Sequence, residues 1–556
     1  IGSPDFLPKF QRTDQFEYLN TLSWLKGNHQ LKFGVNILAP MKNEYLDVPS
    51  TRGTLRYRGV FTGNSVADFL LGYTSDAALT NVYAVDQRHW ATSFFFQDDW
   101  KVTPRLSLNL GVRYDFITPA LEAQNRQTNF IPEGGGRLVF AQDGSLEDRG
   151  LVAPDYNNVA PRLGAVYKLD DQTVLRGGYG IFYNLFDRIG SEDQIALNPP
   201  GLINNSIAVG SNPTAPVFFL RTGFPGDFLA PVDMDPAAGQ LRRIRLRVVD
   251  RDAPKTTVHQ ASIGAQRLFG GVYVISADLV GSRGRNLASL VNLNQPIGGS
   301  GAIPFPDFGG FIEWRAQNGS SSYKGLDFSF QRRFTRGLGF GIAYTLSESR
   351  DNTAEHLSTG GSPSFPQDAR NLDAWEGPSG YDVRHRFVAN FAAELPFGEG
   401  KRWATSGVGR ALLGDWTVSG IYAARSGRPF TVNQSSNNVG QGMTGLPDLV
   451  GDPDGPETVE QWFNPAAFQA VRSGTFGNAG RNILRGPGWS SFDLSLQRQV
   501  NASDRVAAIL RWDVFNVFDR ANFGLPSGNI SSGAVATITS LAGDPRIMQF
   551  SLRLTF

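Results

Sequence analysis

Apolar and polar residues alternate with a period of two along most of this chain. From Leu106 to Phe116 every even position is apolar or aromatic: Leu106, Leu108, Leu110, Val112, Tyr114 and Phe116. Ser107, Asn109, Gly111, Arg113 and Asp115 lie between them. Successive side chains of a strand point to opposite faces, so this segment has one apolar and one polar face. The pattern returns at Leu31–Ile37, Leu338–Leu346, Phe387–Leu395, Phe492–Leu496 and Met548–Phe556. Many of these segments run about 10–13 residues, longer than the ~5–6 of ordinary strands and matched to the ~9–11 of a tilted strand crossing a bilayer.

The links between strands fall into two kinds. Short ones sit at Gly27-Asn28-His29, Thr103-Pro104, Asp170-Asp171-Gln172, Phe269-Gly270-Gly271, Thr335-Arg336-Gly337 and Asn501-Ala502-Ser503. Long ones span residues near 118–157, 185–254, 284–321, 350–383, 426–487 and 517–545, and 397–411 is one long exception on the short side. Long structureless links argue against a compact soluble domain. Their alternation with tight turns is the layout of an all-β, antiparallel transmembrane barrel of the outer-membrane type, with periplasmic turns and extracellular loops. The pattern predicts about 17 strands, against the even numbers usual in bacterial barrels. That count includes weaker strands near 54–61 and 77–84, with Asn64-Ser65 capping a short helix, Val66 to Leu71, between them. The parity places Phe556 at the periplasmic end and leaves some N-terminal strands missing. Trp24, Trp100, Tyr167, Tyr273 and Phe334 lie beside short turns, where a barrel carries an aromatic girdle.

Composition narrows the class. Charged residues make up 19% of the 556 positions and aromatics 12%, which excludes a disordered chain. Net charge is +1, from 52 basic and 51 acidic residues, so no basic excess points to nucleic acid. Cysteine is absent, which removes disulfides, thiolate metal sites and a cysteine nucleophile. No uncharged apolar run reaches the ~18 residues of a membrane helix. The chain starts at Ile1 with no signal-peptide pattern, as expected of a fragment or a processed form.

Candidate chemistry is sparse. None of His29, His89, His259, His356 and His385 has a partner at the spacing of a zinc-protease helix, and His259 and His385 are placed on polar strand faces. Gly440, Gly442 and Gly445 fit a GxGxxG spacing, but no strand-then-helix context surrounds them. Asp452, Asp454 and Glu457 offer oxygen ligands to calcium, although a solvated turn explains Asp452-Pro453-Asp454-Gly455 as well. No GxSxG elbow is present, and Asp98 and Asp99 point to opposite faces. No catalytic residue, metal site or cofactor is expected. Arg113, Arg176, Arg332, Arg384 and Arg511 are read as inward-facing, the weak candidates for ligand contact in the lumen.

Seven stretches carry a family resemblance: Phe96–Phe116, Asn158–Leu169, Leu279–Leu287, Tyr381–Gly398, Ser426–Phe430, Gly477–Gly488 and Asp513–Phe523. Their order and coverage resemble the Oar-like TonB-dependent receptors, a branch of outer-membrane transporters. The resemblance implies a barrel of about 22 strands, the plugged-transporter class. It also implies a plug, a TonB box and an N-terminal regulatory domain, none of which is recognisable in residues 1–556; the chain reads as an N-terminally incomplete barrel domain. The function it implies is non-catalytic uptake of a bulky nutrient. Its partners would be outer-membrane lipid, the assembly machinery, an extracellular ligand and, through the missing region, the TonB system. A passive porin and a surface adhesin acting through the loops remain open alternatives. Lipid tolerates no open sheet edge, so closure or near-closure between Gln15–Lys26 and Met548–Phe556 is expected.

The C-terminus resembles the signal by which outer-membrane assembly machinery recognises its clients. Met548, Phe550, Leu552, Leu554 and the terminal Phe556 alternate strictly, and such a strand can pair with a sheet edge in a register fixed by its side chains. Burying one aromatic ring contributes only ~1.5–3 kcal/mol. Deleting Phe556 is therefore expected to impair insertion in cells far more than it lowers the melting temperature of refolded protein in detergent. Proportional losses of both, or normal insertion, would leave the ring as a girdle residue only.

Overall fold

The computed structural model describes residues 7–46, 48–184, 195–209, 214–298, 301–353, 365–435, 439–440, 443–472, 474–503 and 506–556. Its frame is fifteen long strands: β1 (Glu17–Lys26), β2 (His29–Leu46), β3 (Val85–Lys101), β4 (Leu106–Ile117), β5 (Val159–Lys168), β6 (Thr173–Asn184), β7 (Thr256–Phe269), β8 (Tyr273–Asn292), β9 (Ile312–Thr335), β10 (Leu338–Asp351), β11 (His385–Glu394), β12 (Trp416–Arg425), β13 (Trp489–Ser503), β14 (Val506–Phe515) and β15 (Ile547–Thr555). Each pairs antiparallel with the next in chain order. Four short segments complete a 19-stranded sheet, among them Phe10–Asp14, which carries the line of β1 along β2.

Two expected strands are not part of this frame. Thr54–Arg56 and Asp76–Thr80 are only 3 and 5 residues long, too short to cross a bilayer. They form a small sheet with Asn204–Ala208 within the loops. The helix between them forms at Ser65–Leu71, where the Asn64 side chain accepts the Val66 and Ala67 N–H groups and Gly72 ends it in the left-handed conformation. The link expected at 284–321 is shorter, because β8 and β9 stay paired up to Asn292 and Glu313 despite polar residues on both faces. Such long strands, 20 and 24 residues, stand well above any lipid.

The apolar face of the sheet is exposed: Phe94, Phe96, Val112, Leu163, Leu279 and Leu326 all lie on it. The opposite, inner face is polar and disappears beneath the loops at its upper end. On β3, Val85, Gln87, His89, Ala91 and Ser93 are all buried there. The apolar cores are in the loops themselves. Phe130, Leu241, Ile244, Leu246, Phe305 and Phe308 form one; Phe430, Val432, Phe463, Phe468 and Leu484 form another. Another joins Tyr45, Leu46 and Val85, at the loop ends of β2 and β3, to Leu197 and Leu202, and a smaller one gathers around Val291 and Met443.

No backbone pairing joins β1 to β15 among the described residues, and every residue of both strands is exposed. Closure by backbone pairing between them is therefore not shown among the described residues.

One buried cation ties two loops together. Arg481, with a fully buried side chain, donates to the carbonyl of Trp375 at 3.0 Å and to the backbone carbonyl and carboxylate of Asp351. Asn482 donates to the Pro378 carbonyl at 2.7 Å, and Arg485 meets the buried carboxylate of Asp382. Removing one partner of a buried ion pair costs about 3–5 kcal/mol. Arg481→Met is accordingly expected to make residues 352–384 and 426–488 sensitive to protease while the barrel keeps its heat-modifiable gel mobility. Unchanged loop proteolysis would show that the clamp does not hold them. Orientation is checked by protease sites at Gly223 and Gly270 in intact cells: the first is expected to be cut and the second protected.

Candidate functional site

Strand register lines up one row of charged groups on the inner face. It runs Arg176, Gly264, Asp278, Asp327, Thr345, Arg386, Arg425 and Trp489, each paired with the next across the sheet. Arg176 reaches over Gly264 to grip Asp278 with two bonds, of 2.8 and 2.6 Å. A Cβ at Gly264 would lie 1.9 Å from the Asp278 carboxylate oxygen, so only glycine leaves the path clear. Asp327 accepts the Thr345 hydroxyl at 2.6 Å.

The other half of the row is different. Arg386 and Arg425 stand directly opposite one another, and like charges so placed repel. Arg428 joins them on a cavity of about 710 Å³, whose wall includes Tyr323, Tyr381 and Trp489. Arg425 lies over the Trp489 ring at 5.7 Å. Among the described residues none of these three guanidiniums meets a carboxylate, and Asp382 on the same wall is already committed to Arg485. The wall thus holds three guanidiniums beside aromatic rings, and Asp327 is the one carboxylate on it, among the described residues, that no cation already holds. Guanidinium groups bind carboxylates and phosphates through paired N–H donors.

The structure divides the arginines read from the sequence. Arg113, Arg176 and Arg511 face inward, each ion-paired, with Asp115 at 2.7 Å, Asp278 at 2.6 Å and Asp513 at 2.9 Å. Arg332 does not: it falls in line with Phe328 and Phe330 on the outer face. Arg384 precedes β11 and pairs at 3.4 Å with Glu348, an outer-face residue of β10. His259 and His385 are also on the outer face, hydrogen-bonded to the hydroxyls of Tyr179 at 2.7 Å and Tyr344 at 2.8 Å. In each case the residue shares parity with apolar neighbours: Phe330 and Phe334 for Arg332, Ile263 for His259, Phe387 for His385. Arg386, Arg425 and Arg428 were missed because only the pairing of β11 with β12 brings them together.

The remaining candidates are placed as follows. His29 stacks on Trp100 at 5.1 Å and contacts Asp98 at 2.7 Å, while Asp99 on the other face takes Lys32. His89 is buried on the inner face, and His356 lies outside the described residues. Trp24, Trp100, Tyr167 and Tyr273 are outer-face residues near the short turns, and Phe334 is 53% exposed beside one. Met548, Phe550, Leu552 and Leu554 share the exposed outer face of β15, and Phe556 follows as the exposed terminal residue. Asp452 accepts the Asp454 N–H at 3.1 Å within its own turn. The described residues contain no group of three or more side chains suited to a metal. Within the GxGxxG spacing, Met443 packs into a loop core and no helix follows.

Comparison with known proteins bears on the whole frame. No curated protein matches the sequence. Solved structures similar to the chain include the outer membrane transporter YddB from Escherichia coli, at 11% identity and a TM-score of 0.48, covering 98% of this chain and 54% of that one. The ferripyoverdine receptor of the outer membrane of Pseudomonas aeruginosa matches at 12% identity and a TM-score of 0.46, covering 98% and 48%. The FrpB iron transporter from Neisseria meningitidis matches at 12% identity and a TM-score of 0.42, covering 99% and 55%. The chain spans about half the length of these proteins. A family model described as outer membrane beta barrel domain matches residues 1–549. The exposed apolar face, the hairpins and this nearly complete match have one meaning: the chain belongs to the outer membrane β-barrel domain family, of the outer membrane of Gram-negative bacteria.

Proposed function

We propose that this chain is the barrel domain of a TonB-dependent receptor of the Oar-like branch, which takes up a bulky, anion-bearing nutrient without catalysing a reaction. The observation that carries the reading is the Arg386–Arg425 pair. Two like charges held opposite each other cost stability, and a ligand carboxylate or phosphate between them removes the repulsion. Their position, on the inner face below the loops, is where a molecule entering from outside meets the barrel wall. The resemblance of seven separate stretches to Oar-like receptors supports the branch.

In this reading Arg113, Arg176 and Arg511 line the lumen, and their carboxylate partners keep them from competing for the ligand. Trp24, Trp100, Tyr167, Tyr273 and Phe334 anchor the periplasmic rim at headgroup level. The strand from Met548 to Phe556 guides assembly. A plug and a TonB-binding segment supply gating and energy coupling. A second reading, a surface receptor that binds without uptake, is favoured by the apolar cores that give the loops fixed shapes.

Residues 1–556 expressed alone are expected to show no energised uptake; TonB-dependent accumulation of any ligand by them would contradict the division of labour. In the full-length receptor, growth on a panel of carboxylate- and phosphate-bearing nutrients identifies the ligand. Arg386→Gln with Arg425→Gln is then expected to weaken its binding roughly tenfold or more, the loss that goes with a charged hydrogen bond. Binding that survives unchanged would remove the arginine pair from the site. Binding without uptake by the intact receptor would favour the second reading.

A further inference from the structure

The outer face of β7 to β10 changes character within two residues. One cross-strand row reads Ile263, Leu279, Leu326 and Leu346. The next toward the loops reads Ala261, Gly281, Lys324 and Glu348, and the one above it His259, Arg283, Ser322 and Arg350. Arg285 and Ser320 follow. Apolar side chains facing lipid thus give way at one level to a band of cations.

Not all of these cations are neutralised. Arg350 pairs with Glu376 at 3.0 Å and Arg384 with Glu348 at 3.4 Å. Arg283, Arg285 and Lys324 are exposed, and among the described residues they meet no carboxylate. They sit on two adjacent strands within three successive rows.

A trench joins the two levels. Its upper part, about 550 Å³, runs between Tyr179, His259, Arg283, Lys324 and Arg350. Its lower part, about 560 Å³, is floored by Ile263, Leu279, Leu326 and Leu346. The two meet at Ala261, Gly281 and Lys324. Gly281 opens the passage, since the space where its side chain would stand holds no atom closer than 4.0 Å.

We propose that this trench binds a phosphorylated lipid of the outer leaflet, its phosphate between Arg283 and Lys324 with Arg285 one row above, and an acyl chain along Leu279 and Leu326. Charge complementarity selects the headgroup, because guanidinium forks match phosphate oxygens. The apolar floor selects a lipid over a free anion: Ile263 and Leu279 are 66% and 57% exposed and face hydrocarbon whenever the barrel is in the membrane. The loop end of the barrel lies on the extracellular side, so the lipid belongs to the outer leaflet. This site is on the opposite face from Arg386 and Arg425 and does not rest on the transport reading.

The test uses the purified chain in zwitterionic detergent, with diphosphoryl lipid A as probe and native mass spectrometry as readout. Each basic group near a charged lipid surface is worth about fivefold. The triple variant Arg283→Gln, Arg285→Gln, Lys324→Gln is therefore expected to lower lipid A retention roughly a hundredfold, while Arg283→Lys with Arg285→Lys keeps most of it. Heat-modifiable gel mobility, expected to be equal for all forms, shows that the variants are folded. Phosphatidylcholine is expected to be lost from every form. Equal retention of lipid A by the native chain and the folded triple variant would overturn the proposal. So would retention of phosphatidylcholine as strong as that of lipid A, or full displacement of lipid A by millimolar inorganic phosphate.

Discussion

Inside hydrocarbon, a backbone N–H or C=O without a partner costs several kcal/mol, and no water is there to supply one. That single constraint organises this molecule. It forces the chain into strands that pair with their neighbours over the whole crossing, and pairing fixes the period of two. The period then assigns every residue to lipid or to the interior. The apolar exposed face, the charged inner row and the basic band just above the hydrocarbon level are consequences of one hydrogen-bond ladder. Among the described residues β1 and β15 make no pairing with each other, and both strands are exposed throughout.

The hairpins were legible because they depend on local chemistry. Alternation marks each strand, and Gly27, Gly270 and Gly337 adopt the positive φ that their turns require. The Asn64 cap was legible for the same reason. What escaped depends on distant partners. Nothing local tells Asp76–Thr80 that its mate is Asn204–Ala208 rather than a barrel strand. The loop cores have no periodicity, since Phe130 meets Phe305 and Phe308 only after three separate loops have folded together. The facing of Arg332, His259 and His385 is written in the parity of their neighbours, and in a strand position outranks the polarity of a single side chain.

The stretches that carried the family resemblance acquire physical roles. Gly477–Gly488 supplies Arg481, Asn482 and Arg485, the three side chains that fasten one loop onto another. Ser426–Phe430 supplies Gly427, whose missing side chain lets the chain pass against the Gly486 carbonyl. Asp513–Phe523 supplies Asn516 and Asn522, which bridge backbone groups at the tops of the last strands. These are fastenings of loops to strand ends, and none is a chemical motif.

The grip of Arg176 on Asp278 across Gly264 has a consequence for how the barrel is made. Slippage by one residue turns every side chain of a strand to the wrong face, but slippage by two preserves the faces and is hard to detect by polarity alone. If β7 moved by two residues, Ser262 or Gln266 would take the place of Gly264. Either side chain would stand between the guanidinium and the carboxylate and split the pair. The glycine therefore ties the Arg176–Asp278 pair to a single alignment of three strands, in the one direction where hydrophobic sorting is blind.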